Sequence, residues 1–203
     1  MASANKGMLV VLSAPSGCGK DTVLKELNDR HINISRSVSM TTRAMRDGET
    51  DGIDYHFTTV EDFKRKITEG YFIEYVNFGA NFYGTPKAAV DKMLKNGECV
   101  VLKIEVEGAD NIRRLYPNAI SVFIVPPSFE ELKFRLKNRG TETEQEYEKR
   151  VEIAREELKR AKEYDYIVIN DKVSQCADDI CGILSAEAHR FELMKGFVNK
   201  LIN

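Results

Sequence analysis

The sequence predicts an α/β fold, a three-layer doubly wound core with a mainly parallel sheet. Three observations carry this. Short continuous apolar runs recur at 8–13, 99–105, 119–125 and 166–170, as strands buried on both faces of a parallel sheet do. Amphipathic helical patterns lie between them, and strand–helix alternation is the mark of this class. The length, 203 residues, allows one domain with insertions.

The elements follow in order. "MLVVLS" (8–13) is a strand. A helix runs from Lys20 to about Asp29. The next strong helix starts at Pro86 with Thr85 as N-cap and stops before Gly97. "CVVLKIE" and "AISVFIV" are the following strands. Residues 128–140 open with a Ser128/Glu131 capping box and end at Gly140, and 143–161 open with Thr143/Glu146. "YIVIN" (166–170) is the last strand. Two segments break the rhythm. Residues 35–85 are polar, aromatic and glycine-punctuated, a small mixed α+β insertion in which "FIEYVNF-GAN-FYGT" reads as a hairpin. The charged helical pair from 128 to about 161 is a second excursion. The C-terminal stretch carries an apolar stripe, Met194, Phe197, Val198 and Leu201, for its own core or for a partner.

Composition excludes several classes. A formal net charge of −2 gives no electrostatic case for nucleic acid or membrane. No apolar run approaches the ~20 residues that span a bilayer. Residues 1–7 have no apolar signal core, so a cytoplasmic location is expected. Cys18, Cys99, Cys176 and Cys181 show no C-x-x-C pairing and read as free thiols.

The chemistry begins at "APSGCGKDT" (14–22), between a strand and a helix. Gly17 and Gly19 let backbone N–H groups turn inward around an anion, and the following helix adds its positive end. Lys20 is placed to reach β and γ phosphates. The stretch departs twice from the phosphate loop G-x-x-x-x-G-K-[ST]. Ala14 stands for the first glycine, tolerable where φ is negative. Asp21 stands for the magnesium-binding hydroxyl, with the hydroxyl of Thr22 one residue later. Asp21 either binds Mg²⁺, directly or through water, or caps the helix. Arg43 and Arg46 lie in a hydroxyl-rich loop, and arginine forks bind phosphate bidentately.

The phosphate loop "SAPSGCGK", the block "SVSMTTRAMRDGETDGIDYHF" (37–57), and "GYFIEYVNFGANFYGT", "PPSFEELKFRLKNRGTET", "EKRV" and "VIND" together resemble the guanylate kinase family over nearly the whole chain. That family converts GMP and ATP to GDP and ADP. The resemblance implies a P-loop core (1–36, 86–126 and 157–203), a GMP-binding insertion (37–85) and a helical lid (127–156). It implies that Ala14, Pro15, Ser16, Gly17, Cys18, Gly19, Lys20, Asp21 and Thr22 cradle the donor phosphates, with Asn170 and Asp171 beside the adenine. Arg43, Arg46, Tyr55 and Tyr83 would hold the GMP phosphate. Glu74 would accept both guanine donors, with Ser39, Thr85 and Glu105 on the base side. Arg135, Arg139 and Arg150 would join Lys20 and Arg43 in catalysis when the lid closes. Mg²⁺ would accompany ATP, and dGMP is expected to serve as well as GMP.

The chain departs from the family's D-I-D-x-Q-G pattern at "LKIEVEG" (102–108), where Lys103 replaces a carboxylate. Either Asp21 supplies the carboxylate lost at 103 and Lys103 balances it, or the two changes are independent. Two rivals remain: a non-catalytic domain of the same fold that binds phosphorylated peptides, which the presence of Lys20 and the lid arginines disfavours, and a kinase for another monophosphate, which Glu74 disfavours. The oligomeric state is open.

Overall fold

The computed structural model describes residues 7–30, 34–138 and 143–202. In chain order the elements are β1 (Met8–Ser13), α1 (Lys20–Asp29), β2 (Ile34–Arg36), β3 (Met40–Thr41), β4 (His56–Phe57), α2 (Val60–Thr68), β5 (Phe72–Phe78), β6 (Asn81–Pro86), α3 (Lys87–Lys95), β7 (Cys99–Lys103), α4 (Val106–Leu115), β8 (Ile120–Val125), α5 (Phe129–Lys137), α6 (Glu144–Lys159), a 3-10 turn (Arg160–Glu163), β9 (Tyr166–Ile169), α7 (Val173–Glu187) and α8 (Phe191–Ile202).

The larger sheet has the order β2-β7-β1-β8-β9, and every pairing in it is parallel. Its central strands β7, β1 and β8 are largely apolar on both sides because both faces are covered there, whereas the edge strands β2 and β9 are partly exposed. Val10 and Leu12 of β1 point into a cluster with Val23, Leu24 and Leu27 of α1, Leu132 and Leu136 of α5 and Ile180 of α7. Leu9 and Val11 point the other way, against Val90 of α3 and Ala109 and Ile112 of α4. Alternating side chains of one strand thus feed two cores, which makes the three layers. Each buried Val or Leu is worth about 1.5–3 kcal/mol.

The smaller sheet, β4-β3-β6-β5, is built from residues 40–86. The β5–β6 hairpin is antiparallel with Phe78 opposite Asn81. Its loop is therefore two residues, not the three expected: Gly79 takes a left-handed turn position at φ 62°, which closes the hairpin without Asn81. Phe63 of α2 is fully buried and stacks on Phe72 and Phe82 at 4.4 and 5.4 Å between centroids.

Helix ends differ from the sequence reading in two places. Thr85 does not cap α3; the N-cap is Pro86, because the Thr85 hydroxyl is buried and donates to Glu74. Ser128 caps α5 by accepting from the Glu131 amide, but the box is half made, since the Glu131 carboxylate turns to Arg135 instead. At α6 the Thr143/Glu146 box is complete. Among the described residues no helix is long and apolar enough to cross a membrane.

Candidate functional site

The site starts where β1 ends. Residues 14–19 form a turn, and α1 begins at Lys20 with Gly19 as its N-cap. Gly17 and Gly19 sit at φ 88° and 81°, where side chains are strained. A Cβ on Gly19 would also come within 2.6 Å of Asn170 Nδ2. Cys18 is fully buried, and burial pushes its thiol up to about 12, so it packs the turn and is not a nucleophile. The buried carbonyls of such a turn need donors. Asn170, at the end of β9, supplies one: its Nδ2 donates to Cys18 O at 2.8 Å.

Opposite the loop, across a cleft of about 1020 Å³, lies the smaller sheet. Ala14, Pro15, Ser16, Gly17, Gly19, Lys20 and Asp21 line one wall. Ser39, Arg43, Arg46, Tyr55, Glu74 and Tyr83 line the other, with Lys103, Glu105, Arg150 and Glu157 between them. Lys20 Nζ donates to Ile104 O at 3.1 Å and pairs with Glu105 at 3.0 Å. Glu105, expected on the base side, is therefore engaged by the loop lysine.

Two features at the opening of α1 and the end of β7 meet. Lys103 Nζ lies 2.7 Å from Asp21 Oδ1, and it donates to Tyr55 Oη at 3.4 Å. Burial opposes the Lys103 charge, but Tyr55 and the Asp21 carboxylate more than offset it and raise the pKa. Arg43 is held by Glu49 through two parallel bonds of 3.0 and 2.6 Å, with its guanidinium over the Tyr55 and Phe57 rings. The Arg46 amide donates to the same carboxylate at 2.8 Å. The Arg43 fork and that amide hold Glu49 down at about 2.

Glu74 is 6% exposed and accepts from Thr85 Oγ1 at 2.6 Å. Burial is the largest influence on it and raises its pKa to about 7; the Thr85 bond works the other way. It sits against the first turn of α4, where a Cβ on Gly108 would fall 2.6 Å from Glu74 Oε2 and would also strike Ile104. Glycine at 108 makes the room that Glu74 occupies.

Not every expected residue reaches the cleft. Thr85 is buried behind Glu74 and acts through it. Thr22 is exposed on the first turn of α1 and Asp171 is exposed beyond β9, both outside the cleft lining. Asn170 is 2% exposed and is taken up by the loop backbone rather than facing a base. Arg135 turns to Glu131 at 2.7 Å and to Asn170 O at 3.0 Å, because the α5 face that carries it packs behind the loop. Arg150 does reach the loop, with Nη2 3.0 Å from Ser16 Oγ. Arg139 lies outside the described residues.

Two carboxylates were not singled out from the sequence. Glu49 belongs to the block 37–57, six residues after Arg43, and its signal was there to find. Glu157 accepts from the Ser16 amide at 3.2 Å, a contact across 141 positions that a charged helix face does not announce.

Residues 6–187 match the family model described as guanylate kinase. A guanylate kinase of Clostridioides difficile is 47% identical over 193 residues, 95% of this chain and 94% of that protein. One from Caldanaerobacter subterraneus is 42% identical over 201 residues, 99% of this chain and 98% of that protein. Among solved structures, a guanylate kinase from Anaplasma phagocytophilum superposes with a TM-score of 0.77 at 35% identity, covering 93% of this chain and 89% of that one.

Proposed function

The chain belongs to the guanylate kinase family and catalyses ATP-dependent conversion of GMP to GDP, and we propose that it does so in the single cleft between the 14–21 loop and the smaller sheet. The donor's β and γ phosphates lie on the loop amides and Lys20. The acceptor phosphate takes the fork of Arg43, with Arg46, Tyr55 and Tyr83 around it. Glu74 reads guanine: one carboxylate accepts from N1–H and from the N2 amino group, whereas adenine presents a lone pair at N1 and is rejected. The acceptor is recognised in this reading through its base and its phosphate, and dGMP, which carries both, is a second acceptor.

In-line transfer to a phosphate that is already anionic needs no general base. It needs alignment and positive charge around the group in flight. Lys20 and Arg150 supply that charge from the loop side and Arg43 from the acceptor side. Arg135 braces the loop through Asn170 and through its place behind Cys18. The helices α5 and α6, which carry the expected lid, close over the loop when substrates bind and exclude the water that would hydrolyse ATP.

Magnesium fits this donor set. Among the described residues no cluster of three or more His, Cys, Asp or Glu would hold a metal unaided, and Mg²⁺ characteristically combines one or two carboxylates with phosphate oxygens and water. Asp21, at the cradle's edge, is the residue that would hold it. When bound, the ion neutralises charge on the β and γ oxygens.

The observation that carries this reading is the facing of Lys20 and Glu74 across one cleft. The test is ADP formation with ATP and a panel of monophosphates. GMP and dGMP are expected to turn over and AMP to fail; ADP formation with AMP at the GMP rate would refute the assignment of Glu74.

A further inference from the structure

Lys103 is a cation that touches both halves of the cleft. The loop side reaches it through Asp21 at 2.7 Å, and the acceptor side through Tyr55 Oη at 3.4 Å. It stands at the end of β7, the strand hydrogen-bonded to β1 with Leu12 opposite Lys103, so its backbone is fixed by the core sheet. Its side chain is 29% exposed and that of Asp21 is 74% exposed. The ammonium is therefore directed along the cleft wall, while its carboxylate partner is the half that faces solvent.

This placement has a chemical consequence. Tyr55 is a donor to the acceptor phosphate in the reading above. An ammonium within hydrogen-bond reach of that phenol, and on the same wall as the cradle, lies where the acceptor phosphate approaches the γ-phosphoryl group. We propose that Lys103 is a catalytic residue, whose ammonium, held in the cleft by Asp21, contacts the acceptor phosphate and the phosphoryl group in transit. The reaction it assists forms a bond from an acceptor phosphate oxygen to the γ-phosphorus and breaks the bond to the β,γ-bridging oxygen. That oxygen keeps the electron pair and leaves on ADP, with no proton gained or lost. Charge accumulates on the transferring oxygens between the two substrates, and a fixed cation there stabilises the transition state more than either ground state. Lys20 approaches the group in flight from the donor side and Arg43 from the acceptor side. Lys103 serves the gap.

The inference rests on the reading of the cleft given above, and wild-type protein separates the two: if it forms no ADP from ATP and GMP, the reading itself fails before any variant is made. Given an active wild type, the test is Lys103→Met and Lys103→Arg, measured by single-turnover phosphoryl transfer and by calorimetric binding of GMP and of guanosine. Lys103→Met is expected to lower the transfer rate about 100-fold and GMP affinity about tenfold. Guanosine, which lacks the phosphate, is expected to bind within about twofold of wild type, and Lys103→Arg to recover part of the rate. A Lys103→Met protein with rate and GMP affinity within about threefold of wild type overturns the proposal. So does one that loses guanosine and GMP affinity equally, since that pattern is structural. Asp21→Asn removes the charge that holds the ammonium, so its loss and that of Lys103→Met in GMP affinity, titrated without ATP or Mg²⁺, should combine to less than their product; fully multiplicative losses there refute the role given to Asp21.

Discussion

Glu74 can read guanine only as a carboxylate, yet its surroundings favour the neutral acid. Burial raises its pKa from 4.5 to about 7, with Thr85 opposing and the nearby Glu105 reinforcing. A shift of that size is on the order of 3 kcal/mol of preference for the protonated form. The sign follows from linkage. The folded protein holds this proton more tightly than the unfolded chain, so Glu74's contribution to stability falls as pH rises from about 4.5 towards about 7. For binding the dependence is reversed. Guanine needs the ionised form, and the apparent Kd is the intrinsic one divided by the competent fraction. That fraction is about nine-tenths at pH 8, about half at pH 7 and about one-tenth at pH 6, so guanosine should bind about tenfold more weakly at pH 6 than at pH 8. The assay is calorimetric titration with guanosine, whose lack of a phosphate removes the ligand's own ionisation near pH 6. At pH 7 the heat should also vary with the buffer's ionisation enthalpy, showing release of about half a proton. Glu74→Gln should abolish the pH dependence and weaken binding at every pH. Wild-type affinity that is flat between pH 6 and 8, or that weakens as pH rises, would refute the argument.

Gly108→Ala places a Cβ against Glu74 Oε2 and Ile104; it should lower GMP affinity at least tenfold while leaving ATP affinity unchanged, as read by separate titrations. Asn170→Ala leaves the Cys18 carbonyl without its 2.8 Å donor; it should cost about 1–3 kcal/mol in denaturant unfolding and raise the KM for ATP more than that for GMP. Glu157→Ala frees the Ser16 amide and should tighten ATP binding several-fold, because a loop amide no longer exchanges a carboxylate for a phosphate. Phe63→Ala empties the aromatic centre under the hairpin and should destabilise by about 3–5 kcal/mol, measured by thermal unfolding.

What the sequence made legible was whatever is written locally. The runs at 8–13, 99–105, 119–125 and 166–170 are mostly apolar, and all four are strands, the first over its full length and the other three trimmed by a residue or two at one end. Gly17, Gly19 and Lys20 between strand and helix placed the loop. β2, β3 and β4 are three, two and two residues long, too short to display a period of two, and they exist because neighbouring strands offer edges. Asn170 was expected beside the adenine only from the resemblance; nothing near "VIND" says that its amide also closes a carbonyl 152 positions away. The same holds for Glu157 on a helix whose face otherwise reads as solvated. The Asp21–Lys103 pairing, 82 positions apart, was visible only because both residues depart from a pattern, each with the charge that balances the other.

The groups proposed above to read phosphates are already matched to anions belonging to the chain. Glu49 fills the Arg43 fork, Glu105 pairs with Lys20, Asp21 with Lys103, and Glu157 accepts from the Ser16 amide. A half-buried cation left alone carries a desolvation cost that no distant charge offsets, so these carboxylates keep the binding groups in place. Arrival of a phosphate is then an exchange of one anion for another. The net gain is the difference between a phosphate, with its greater charge and three acceptor oxygens, and a carboxylate. Such an exchange limits ground-state affinity without loosening the geometry, since fork, lysine and loop are already held by intramolecular bonds of 2.6, 3.0 and 3.2 Å. Affinity restrained in this way leaves more of the interaction to be expressed when charge moves between donor and acceptor, which is where it raises kcat rather than merely lowering KM. The exchange also favours release, because each departing product phosphate is replaced by a carboxylate tethered within reach.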